Sequence, residues 1–571
     1  AAVSSYNKAI EIKPDYADPY NNLGALEIAS NNTPAALTYL KRAILYKPQF
    51  EEAYRNINLT FQGEEKQNHI IACSKRLLKM NPSSIVAYID LAFAQKGKGE
   101  TSLALVNYKK ALVLEPENAT VLNNLGNIFK VIGKTTKAIL YYRRAINIKR
   151  NYEDTHYNLG NSLRLSKQLE SALNSYKRAL ILSSQNDSAY TNTGATLIEL
   201  GEPSNAIHLF EKVLILNPKD PQALSMILFC KASWNFNGRV EYLKTADRFN
   251  NLIKDNHKGR SWGSWHQAPN IPLRVGLVSA DFNDHPVGYF LESLLRNVNR
   301  QRIEFYAYSN SYKKTVQTRV LQPLFKNWQT ICEKNDTDAA NIIHDSRIDV
   351  LIDLSGHTAG NRLSLFSQKP APYQATWLGY FASTGVDEID FIIGDKVVTP
   401  FHSQCHFTEK IIQLPDSYFC FTPPHESPNL SQTPAAYKKH VTFGCFNRAS
   451  KVTEEGIKAW SQILKAIPSA KMVFKGEGYV GGRKKFIQES FISFGIDKKR
   501  LQFFKKSPRR QHLEAYNKID IALDTSPYPG GITTCEAMWM GVPTVTAKGK
   551  NFLSSVGATM AKSSERPQLC A

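Results

Sequence analysis

The stretch Asp520–Thr546, DIALDTSPYPGGITTCEAMWMGVPTVT, decides the fold class of the C-terminal part of this chain. It predicts a short buried strand, a turn rich in Pro and Gly, a helix that begins with small and hydroxylated residues, and a second strand. A strand that passes through a glycine turn into a helix is typical of a parallel α/β sheet. We therefore expect an α/β, Rossmann-like domain around this segment.

The glycine turn in this stretch is a candidate phosphate site. Gly530 and Gly531 would let a phosphate approach the backbone, and the positive end of the following helix would face it. The N–H groups expected there are those of Ile532, Thr533 and Thr534. Glu536, one turn further, could accept hydrogen bonds from ribose hydroxyls. An ordinary glycine turn with a Thr cap is the alternative, but the strand–turn–helix context favours the phosphate interpretation.

The same βα pattern occurs twice in the C-terminal half of the chain. Apolar runs such as LRVGLVSADF and IDVLIDLSG begin at Leu273, and runs such as VTFGCFN and KMVFKG follow a stretch rich in Pro and Ser. Short apolar runs that alternate with helical patterns predict βα units and parallel sheets. We expect a first α/β lobe over 271–420, an interlobe linker over 421–440 and a second α/β lobe over 441–571.

A repeat of 34 residues occupies the first 222 positions. Prolines recur at that interval, small residues and aromatics keep the same spacing, and Leu-Gly pairs mark one point of the repeat. The residues concerned are Pro14, Pro48, Pro82 and Pro116; Ala104, Ala138 and Ala172; Tyr108, Tyr142 and Tyr176; and Leu23-Gly24, Leu125-Gly126 and Leu159-Gly160. This pattern predicts an all-α tetratricopeptide superhelix over 1–222.

Asparagines recur where the inner helix of each repeat would face the groove of the superhelix, for example Asn21, Asn123 and Asn158. An amide could bind a peptide backbone, or it could simply belong to a solvated helix face. The sequence leaves both possibilities open. The repeat period fails after the array, so we expect a bridging helix and linker over 223–270.

Composition and cysteine spacing exclude several classes of protein. Lys and Arg outnumber Asp and Glu by 71 to 50 but are spread along the chain, so we expect no nucleic-acid partner. No apolar run is long enough to predict a membrane span, and the start AAVSSYNKAI has no targeting pattern. The eight cysteines form no pair or Cys/His cluster with metal-ligand spacing, which predicts a reducing, cytoplasmic location and no metal site.

Four segments resemble successive motifs of the protein O-linked N-acetylglucosamine transferases and their bacterial relatives. They are DFNDHPVGYFLESLL, DLSGHTAGNRLSLFSQKPAPYQATWLGY, FGCFNRASKVTEEGIKAWSQILKAIP and LDTSPYPGGITTCEAMWMGVP. With the repeats, the resemblance covers nearly the whole chain. It implies two lobes of the glycosyltransferase B type, with a ligand cleft between them.

The resemblance further implies UDP-N-acetylglucosamine as the donor and a Ser or Thr hydroxyl of a protein as the acceptor. The repeat array would bind that acceptor protein, and a homodimer through the repeats is a further option. Transfer in this family inverts the anomeric centre and needs neither a cofactor nor a metal ion. Fixed cations and backbone N–H groups must then stabilise the departing diphosphate.

Roles for individual residues also follow from the resemblance. Lys451 in FNRASK would hold the diphosphate. His285 in NDHPVG would line the active site and either take the proton of the acceptor or position a substrate. Arg448, where some relatives have Gln, and Arg509 and His512 in SPRRQH would contact the nucleotide, unless they are ordinary surface charges.

A wall around the sugar and acceptor is implied by the segments GHTAGNRL and WLGYFASTG. Its residues are His357, Thr358, Asn361, Gly379, Thr384 and Gly385. Phe381 stands where family members usually have Pro, so we expect a looser loop there.

The match changes after FLSSVGATM. Ser555 stands where an Arg is common, and AKSSERPQLCA follows in place of the expected helices, so we expect a C-terminally incomplete second lobe. This departure favours one alternative to a transferase, a tetratricopeptide scaffold that retains a UDP-binding lobe without turnover. A UDP-N-acetylglucosamine 2-epimerase, which shares the two-lobed fold, is the other alternative.

Overall fold

The structure is a computed structural model that describes residues 2–234, 238–255, 262 and 271–571. It divides into two compact units, Ala1–Ala189 and Tyr190–Ala571. Among the described residues, no helix combines the length and the apolar character that a membrane span requires. All eight cysteines are described, and all are free thiols.

The first unit consists of antiparallel helix pairs. The helices are α1 (Ala2–Ile12), α2 (Ala17–Ala29), α3 (Thr33–Tyr46), α4 (Glu51–Leu59), α5 (Gly63–Met80), α6 (Ile85–Gly97), α7 (Thr101–Leu114), α8 (Ala119–Val131), α9 (Thr135–Ile148), α10 (Glu153–Leu165) and α11 (Leu169–Leu182). A further helix, α12 (Asp187–Leu200), crosses the boundary between the units.

The Leu-Gly pairs and the periodic aromatics meet inside each repeat. A Cβ on Gly126 would lie 2.4 Å from the ring of Tyr142, and one on Gly160 would lie 2.5 Å from the ring of Tyr176. Both tyrosines are fully buried. The glycine of the inner helix is therefore required because the ring of the outer helix packs directly against its backbone.

Two of the asparagines predicted to face the groove are buried between neighbouring repeats. Asn56 Nδ2 donates to Asn21 Oδ1 over 2.9 Å, and Asn158 Nδ2 donates to Asn123 Oδ1 over 3.3 Å. Asn21 and Asn123 are at most 5% exposed. These asparagine amides therefore hydrogen-bond to one another between repeats. The sequence analysis had considered a bound peptide backbone or solvent as their partners, but not each other.

The second unit begins with helices that pack on the first α/β lobe. They are α13 (Pro203–Leu216), α14 (Pro221–Trp234) and α15 (Arg239–Asp255). Leu228 of α14 and Phe249 of α15 are buried in one core with Leu351 and Phe366 of the lobe. The predicted linker thus contains two helices in its described part, and 256–261 and 263–270 lie outside the described residues.

The first lobe is built on a seven-stranded parallel sheet of order β3-β2-β1-β4-β5-β6-β7. The strands are β1 (Leu273–Ser279), β2 (Ile303–Ser309), β3 (Asn327–Thr330), β4 (Val350–Asp353), β5 (Tyr373–Thr376), β6 (Phe391–Asp395) and β7 (Lys410–Leu414). The helices are α16 (Pro286–Asn297), α17 (Val316–Leu321), α18 (Asp336–Asp345) and α19 (Leu363–Phe366). The reversal of strand order beside β1 places a crevice at the carboxyl ends of the strands, the position at which such sheets bind ligands.

The second lobe is built on a five-stranded parallel sheet of order β10-β9-β8-β11-β12. A short helix, α20 (Pro434–Lys438), precedes it. The strands are β8 (Thr442–Cys445), β9 (Lys471–Gly476), β10 (Leu501–Lys505), β11 (Ile521–Leu523) and β12 (Thr544–Val545), and the helices are α21 (Glu454–Ala466), α22 (Gly481–Ser493), α23 (Arg509–Glu514), α24 (Ile532–Trp539) and α25 (Val556–Ser563). The predicted α/β class of both lobes and the helical class of the array are confirmed.

Helix α25 joins the second lobe to the first. Val556 and Met560, one helical turn apart, are buried in a core with Trp377 and Val398 of the first lobe. Thr559 Oγ1 donates to the buried Asp395 Oδ2 over 2.7 Å. Helix α25 therefore returns to the first lobe, because its apolar residues at positions i and i+4 are buried there together. The sequence analysis did not predict this contact.

Candidate active site

The turn between β11 and α24 is organised by Asp524. Its Oδ1 atom accepts hydrogen bonds from the N–H groups of Thr525 (2.9 Å) and Gly530 (2.7 Å) and from Asn447 Nδ2 (2.8 Å). Thr546 Oγ1 donates to the other carboxylate oxygen over 3.1 Å. Burial raises the pKa of Asp524, and these donors oppose the rise. The carboxylate thus fixes both ends of the predicted phosphate turn.

The two glycines of the turn differ in their surroundings. A Cβ on Gly530 would lie 2.5 Å from the hydroxyl oxygens of Thr533 and Thr534, so a side chain cannot fit there. A Cβ on Gly531 would meet no atom within 4 Å. The space above Gly531, at the N-terminus of α24, is therefore open to a ligand. The N–H group of Thr534 already donates to the carbonyl oxygen of Gly531 over 3.1 Å, so of the three N–H groups predicted to face a phosphate, those of Ile532 and Thr533 are left without a backbone partner among the described residues.

Asn447 connects this turn to β8, and the sequence prediction missed it. Its amide nitrogen donates to Asp524 and to Thr525 Oγ1 (3.0 Å), and its Oδ1 accepts from Thr533 Oγ1 over 2.7 Å. The side chain is 5% exposed. Asn447 lies in the quoted FNRASK segment, where the cationic residues drew attention, and only the fold brings its amide to the turn.

Lys451 lies directly against the phosphate turn. Its Nζ atom donates to the carbonyl oxygen of Pro529 over 2.8 Å and lies 3.8 Å from the centre of the Tyr528 ring. Burial lowers the pKa of the amine to about 7, with Arg448 adding to the fall and Asp524 opposing it. The structure thus places Lys451 beside the glycine turn, with an aromatic partner that the sequence prediction did not name, and its contact with a diphosphate stays a prediction.

Arg448 lies nearby but is exposed. Two-thirds of its side chain is accessible, and its Nε atom is 3.9 Å from Glu477 Oε2. Its positive charge still lowers the pKa values of His285 and Lys451. Arg448 therefore contributes charge to the cleft from an exposed position beside Glu477.

Arg509, at the start of α23, joins the two lobes. Its Nε atom donates to Glu536 Oε1 over 3.2 Å, and its guanidinium lies 3.9 Å from the centre of the Tyr289 ring on α16. Its Nη2 atom is buried and has no hydrogen-bond partner among the described residues. A buried cationic donor without an acceptor is costly, so this atom fits the role of a ligand contact.

His512 and Glu536 lie on the same side of the second lobe. His512 Nε2 is 3.9 Å from Glu536 Oε2, and the imidazole packs edge-on against Phe446. Burial lowers the pKa of His512 to about 4, with Lys475, Arg509 and Lys506 adding to the fall. Burial also raises the pKa of Glu536, against the effect of Arg509. At neutral pH His512 is therefore an uncharged imidazole.

His285 caps the N-terminus of α16 in the first lobe. Its Nδ1 atom is 3.6 Å from Asp281 Oδ2, and 37% of its side chain is exposed. Burial lowers the pKa of His285, Asp281 opposes this, and the positive charges of Arg448 and Lys313 add to it. The ring is thus neutral at pH 7, beside a carboxylate that could hold it in one orientation.

Three of the predicted wall residues form one buried chain of hydrogen bonds. His357 Nε2 donates to the carbonyl oxygen of Thr384 over 2.8 Å, which leaves Nδ1 to accept from Ser225 Oγ at 2.9 Å. Asn361 Nδ2 donates to Ser225 Oγ over 3.1 Å. Burial lowers the pKa of His357 to about 4. Both ring nitrogens are occupied, so His357 attaches α14 to the first lobe and has no free nitrogen for a sugar.

The remaining wall residues also serve the packing of this region. A Cβ on Gly379 would lie 1.7 Å from the carbonyl oxygen of Leu354, and Gly385, at φ +69°, would carry its Cβ 2.5 Å from that of Ala246 on α15. Thr358 Oγ1 donates to the carbonyl oxygen of Ser355 over 2.7 Å. Gly379, Gly385 and Thr358 thus contribute to the packing of the loops beside the cleft.

Phe381, where the family usually has Pro, lies at the meeting point of both lobes and α14. Its ring centre is 5.4 Å from that of Tyr528 and 6.2 Å from that of Phe229. Trp234 of α14 approaches Tyr528 to 5.8 Å. The Phe381 ring of the first lobe thus packs on Tyr528, which is also the aromatic partner of Lys451. A Pro at position 381 could not make this aromatic contact.

Comparisons with known proteins agree with this architecture. The model of Glycosyl transferase family 41 matches residues 247–434 and 431–571, and a TPR repeat model matches 1–27, 96–133 and 126–165. The solved structure of a mutant Thermobaculum terrenum O-GlcNAc transferase is 27% identical, with a TM-score of 0.73, and the match covers 79% of this chain and 86% of that one.

Two curated plant proteins are also similar. The Arabidopsis thaliana probable UDP-N-acetylglucosamine–peptide N-acetylglucosaminyltransferase SPINDLY is 33% identical over 51% of this chain and 33% of its own length, and the Arabidopsis SEC protein of the same description is 26% identical over 50% and 30%. This chain spans about a third of the length of these relatives. With more than half of its residues matched by the family model, the chain belongs to Glycosyl transferase family 41.

Proposed function

We propose that this protein transfers N-acetylglucosamine from UDP-N-acetylglucosamine to Ser or Thr hydroxyls of proteins, with inversion at the anomeric carbon and without a metal ion. Membership of family 41 and the printed activity of its relatives support this proposal. The comparisons give no support to a scaffold without activity or to a 2-epimerase.

The second lobe would bind the nucleotide. The diphosphate would lie above Gly531, at the N-terminus of α24, where the structure leaves open space. Glu536 would accept hydrogen bonds from the ribose. The unpartnered Nη2 atom of Arg509 would donate to the nucleotide, and the neutral His512 ring would pack against it.

Lys451 would stabilise the leaving group. As the glycosidic bond breaks, negative charge grows on the β-phosphate, and an ammonium group already held beside the turn lowers the energy of that state without reorganisation. Binding of the diphosphate would raise the pKa of Lys451 and keep it charged.

The first lobe would supply His285 on the opposite side of the cleft. For catalysis, Nδ1 would carry the hydrogen and donate to Asp281, in place of its 3.5 Å cap contact with the N–H of Val287, and Nε2 would take the acceptor proton while Asp281 stabilises the imidazolium that forms. The repeat array would hold the acceptor protein in its concave groove.

The buried guanidinium nitrogen of Arg509 beside Glu536, which has no hydrogen-bond partner among the described residues, is the structural observation that supports this proposal, because a nucleotide oxygen would supply the missing acceptor. The test is UDP release from UDP-N-acetylglucosamine by the purified chain, with and without a protein lysate, combined with intact-mass analysis of the proteins. We expect UDP release that depends on protein and a mass gain of one hexosamine.

Three results would contradict the proposal. UDP binding without release would favour a scaffold. Epimerisation of the free donor without any protein acceptor would favour a 2-epimerase. A mass gain other than that of one hexosamine would mean that the protein is a transferase that uses a different sugar donor.

A further inference from the structure

Lys451 lies on a very short element of the second lobe. It is the last residue of Ala449–Lys451, a single turn of 3₁₀ helix between β8 and α21. Within this turn, the N–H groups of Lys451 and Val452 donate to carbonyl oxygens three residues back, over 3.0 and 3.1 Å. Such bonds have poor geometry and hold a short turn only weakly. The direction of the Lys451 side chain therefore depends on the groups that hold the turn from outside.

Arg483, near the start of α22, contacts the turn on both sides of Lys451. Its Nε atom donates to the carbonyl oxygen of Ala449 over 3.2 Å, and its Nη2 atom donates to the carbonyl oxygen of Val452. Ala449 and Val452 are fully buried, so water cannot take the place of Arg483 without a local opening of the chain. The planar guanidinium presents two donors in a fixed geometry, which is why one side chain can reach both carbonyl oxygens.

The turn between α12 and α13 lies against the same segment. A Cβ on Gly201, at φ +81°, would lie 2.7 Å from the carbonyl oxygen of Ser450. Backbone therefore packs on backbone here, and Ala449–Lys451 has no room to shift toward Gly201. A side chain at position 201 would be strained, so Arg483 provides the contact that a substitution can test.

We propose that Arg483 is a positioning residue for Lys451, an inference that rests on the proposed function because Lys451 acts there on the leaving diphosphate. Arg483 fixes the backbone from which the Lys451 side chain extends to the Pro529 carbonyl oxygen and the Tyr528 ring. Without the guanidinium, two buried carbonyl oxygens would lose a donor, and the turn would open to satisfy them with water. The amine would then no longer be held in advance beside the glycine turn.

The first test measures Lys451 without any ligand. Competitive acetylation of the full chain over a pH series, followed by peptide mass spectrometry, gives the pKa of Lys451 and the reactivity of its deprotonated amine relative to the exposed Lys458. In Arg483→Met we expect this reactivity to rise at least about tenfold, the change produced by losing hydrogen bonds from one charged donor. The pKa should move from about 7 toward the ordinary lysine value, because the amine becomes less buried.

Arg500→Met is the matched control in the same lobe. Arg500 also donates through Nε and Nη2 to two buried carbonyl oxygens, those of Ala470 and Leu464, each over 2.8 Å. These acceptors lie near the far end of α21, about 20 Å along the helix from the turn of Lys451. Arg500→Met should lower the melting temperature about as much as Arg483→Met but leave the acetylation of Lys451 unchanged. Equal acceleration in the two variants, or none in Arg483→Met, would overturn the proposal.

Turnover gives the second readout and separates this proposal from the proposed function. The kcat of UDP release should fall at least about tenfold in Arg483→Met, by a larger factor than KM rises, because the charge that Lys451 stabilises is greatest in the transition state. Arg483→Lys keeps the charge without the planar pair of donors, so it should show the same loss and replaces Arg483→Met if that variant does not fold. Arg500→Met should turn over as the unmodified chain does.

The two proposals can fail independently. An unmodified chain that releases no UDP would contradict the proposed function, while the acetylation of Lys451 would still decide whether Arg483 positions it. An active chain whose kcat is unchanged in Arg483→Met and Arg483→Lys would overturn the role of Arg483 and leave the proposed function intact.

Discussion

Lys451 shows how one residue type can acquire a specific role from its surroundings. An exposed lysine keeps a pKa near 10.5, but burial against Tyr528 and Pro529 lowers the pKa of Lys451 to about 7. The amine contacts a neutral carbonyl and an aromatic ring, and among the described residues no carboxylate forms an ion pair with it. A diphosphate would supply the missing negative charge.

Replacing Lys451 with Met should reduce kcat by roughly 10²–10³-fold, the usual loss when one fixed group that stabilises developing negative charge is removed. UDP release in steady-state assays measures this effect. Lys458→Met is the matched control, because Lys458 is exposed and lies outside the turn. Unchanged turnover in Lys451→Met would remove this amine from the mechanism.

The lowered pKa of Lys451 also predicts how UDP affinity depends on pH. In the free protein the amine loses its proton as pH rises through about 7, and UDP binding must then take up a proton. Affinity should therefore fall above pH 7, by up to about tenfold per pH unit. Titration of UDP from pH 7 to 9 tests this, and Lys451→Arg, which stays charged, should show a flatter dependence.

The lowered pKa of Lys451 has the opposite effect on the stability of the ligand-free protein, which should increase with pH. Because the pKa in the folded state is depressed, the unfolded state binds more protons between pH 7 and the ordinary lysine value, and stability contributed by this group rises over that window. Lys451→Met should remove that rise, which urea unfolding at several pH values would measure.

At the scale of elements, the turn before α24 combines a rigid base with an open upper side. Asp524 and Asn447 fix the backbone, Gly530 is required by the neighbouring Thr hydroxyls, and Gly531 has free space around it. The turn therefore has no room for a side chain at position 530 but leaves space for a ligand above Gly531.

Gly531→Ala should therefore separate folding from binding. The added methyl meets no protein atom within 4 Å, so the melting temperature should stay within about a degree, while UDP affinity should fall at least about tenfold if the diphosphate occupies that space. Calorimetry and thermal unfolding give the two readouts. Gly456→Ala in α21, where the nearest contact is Thr453 Oγ1 at 3.4 Å, is the control. Equal UDP affinity in Gly531→Ala would mean that the diphosphate lies elsewhere.

Helix α14 offers a second test at this scale. Ser225→Ala would leave the buried His357 Nδ1 and Asn361 Nδ2 without their shared partner and should lower the free energy of unfolding by about 1–3 kcal/mol. Ser233 of the same helix is the control, because its buried hydroxyl has no partner among the described residues, so Ser233→Ala should be neutral or stabilising. Denaturant unfolding compares the two. An equal effect of both variants would show that the chain of hydrogen bonds contributes nothing specific.

At the scale of the whole molecule, the division into two compact units separates two proposed tasks. The residues of the candidate active site all lie in the second unit, whereas most of the repeats lie in the first. A shortened chain that begins at Ser184 should therefore bind UDP with a Kd within about twofold of the full chain, since affinity depends on the contacts of the nucleotide site alone. Its modification of lysate proteins should fall strongly, because most of the repeat groove that we propose binds the acceptor protein is removed.

Calorimetry and intact-mass analysis of the acceptors measure these two outcomes. Undiminished protein modification by the shortened chain would place acceptor recognition in the second unit. Loss of UDP affinity would mean that the nucleotide site depends on the repeats.

Periodicity was sufficient for the fold classes. The 34-residue spacing of Gly126, Tyr142 and their equivalents predicts the repeat helices because each pair meets within one hairpin. The run from 520 to 546 predicts its strand–turn–helix because the apolar run, the Pro/Gly turn and the helix start follow one another along the chain. Gly530 and Gly531 could be identified from the same run, whereas Lys451, in the separate segment FNRASK, was identified through the family resemblance.

Other features depend on residues far apart in the chain. Ser225 meets His357 across 132 positions, Asn447 meets Asp524 across 77, and Arg509 of one lobe covers Tyr289 of the other. No local pattern marks such pairs, so His357 was predicted beside the sugar and was found inside the packing of α14. The repeat array, the two α/β lobes and the strand–turn–helix around Gly530 could be predicted from the amino-acid sequence alone, because they follow from local periodicity and turn chemistry. Which polar side chains find partners in the protein, and which atoms, like Arg509 Nη2, have none among the described residues, follows from the tertiary structure, because burial and hydrogen-bond partners come from elements that are distant along the chain.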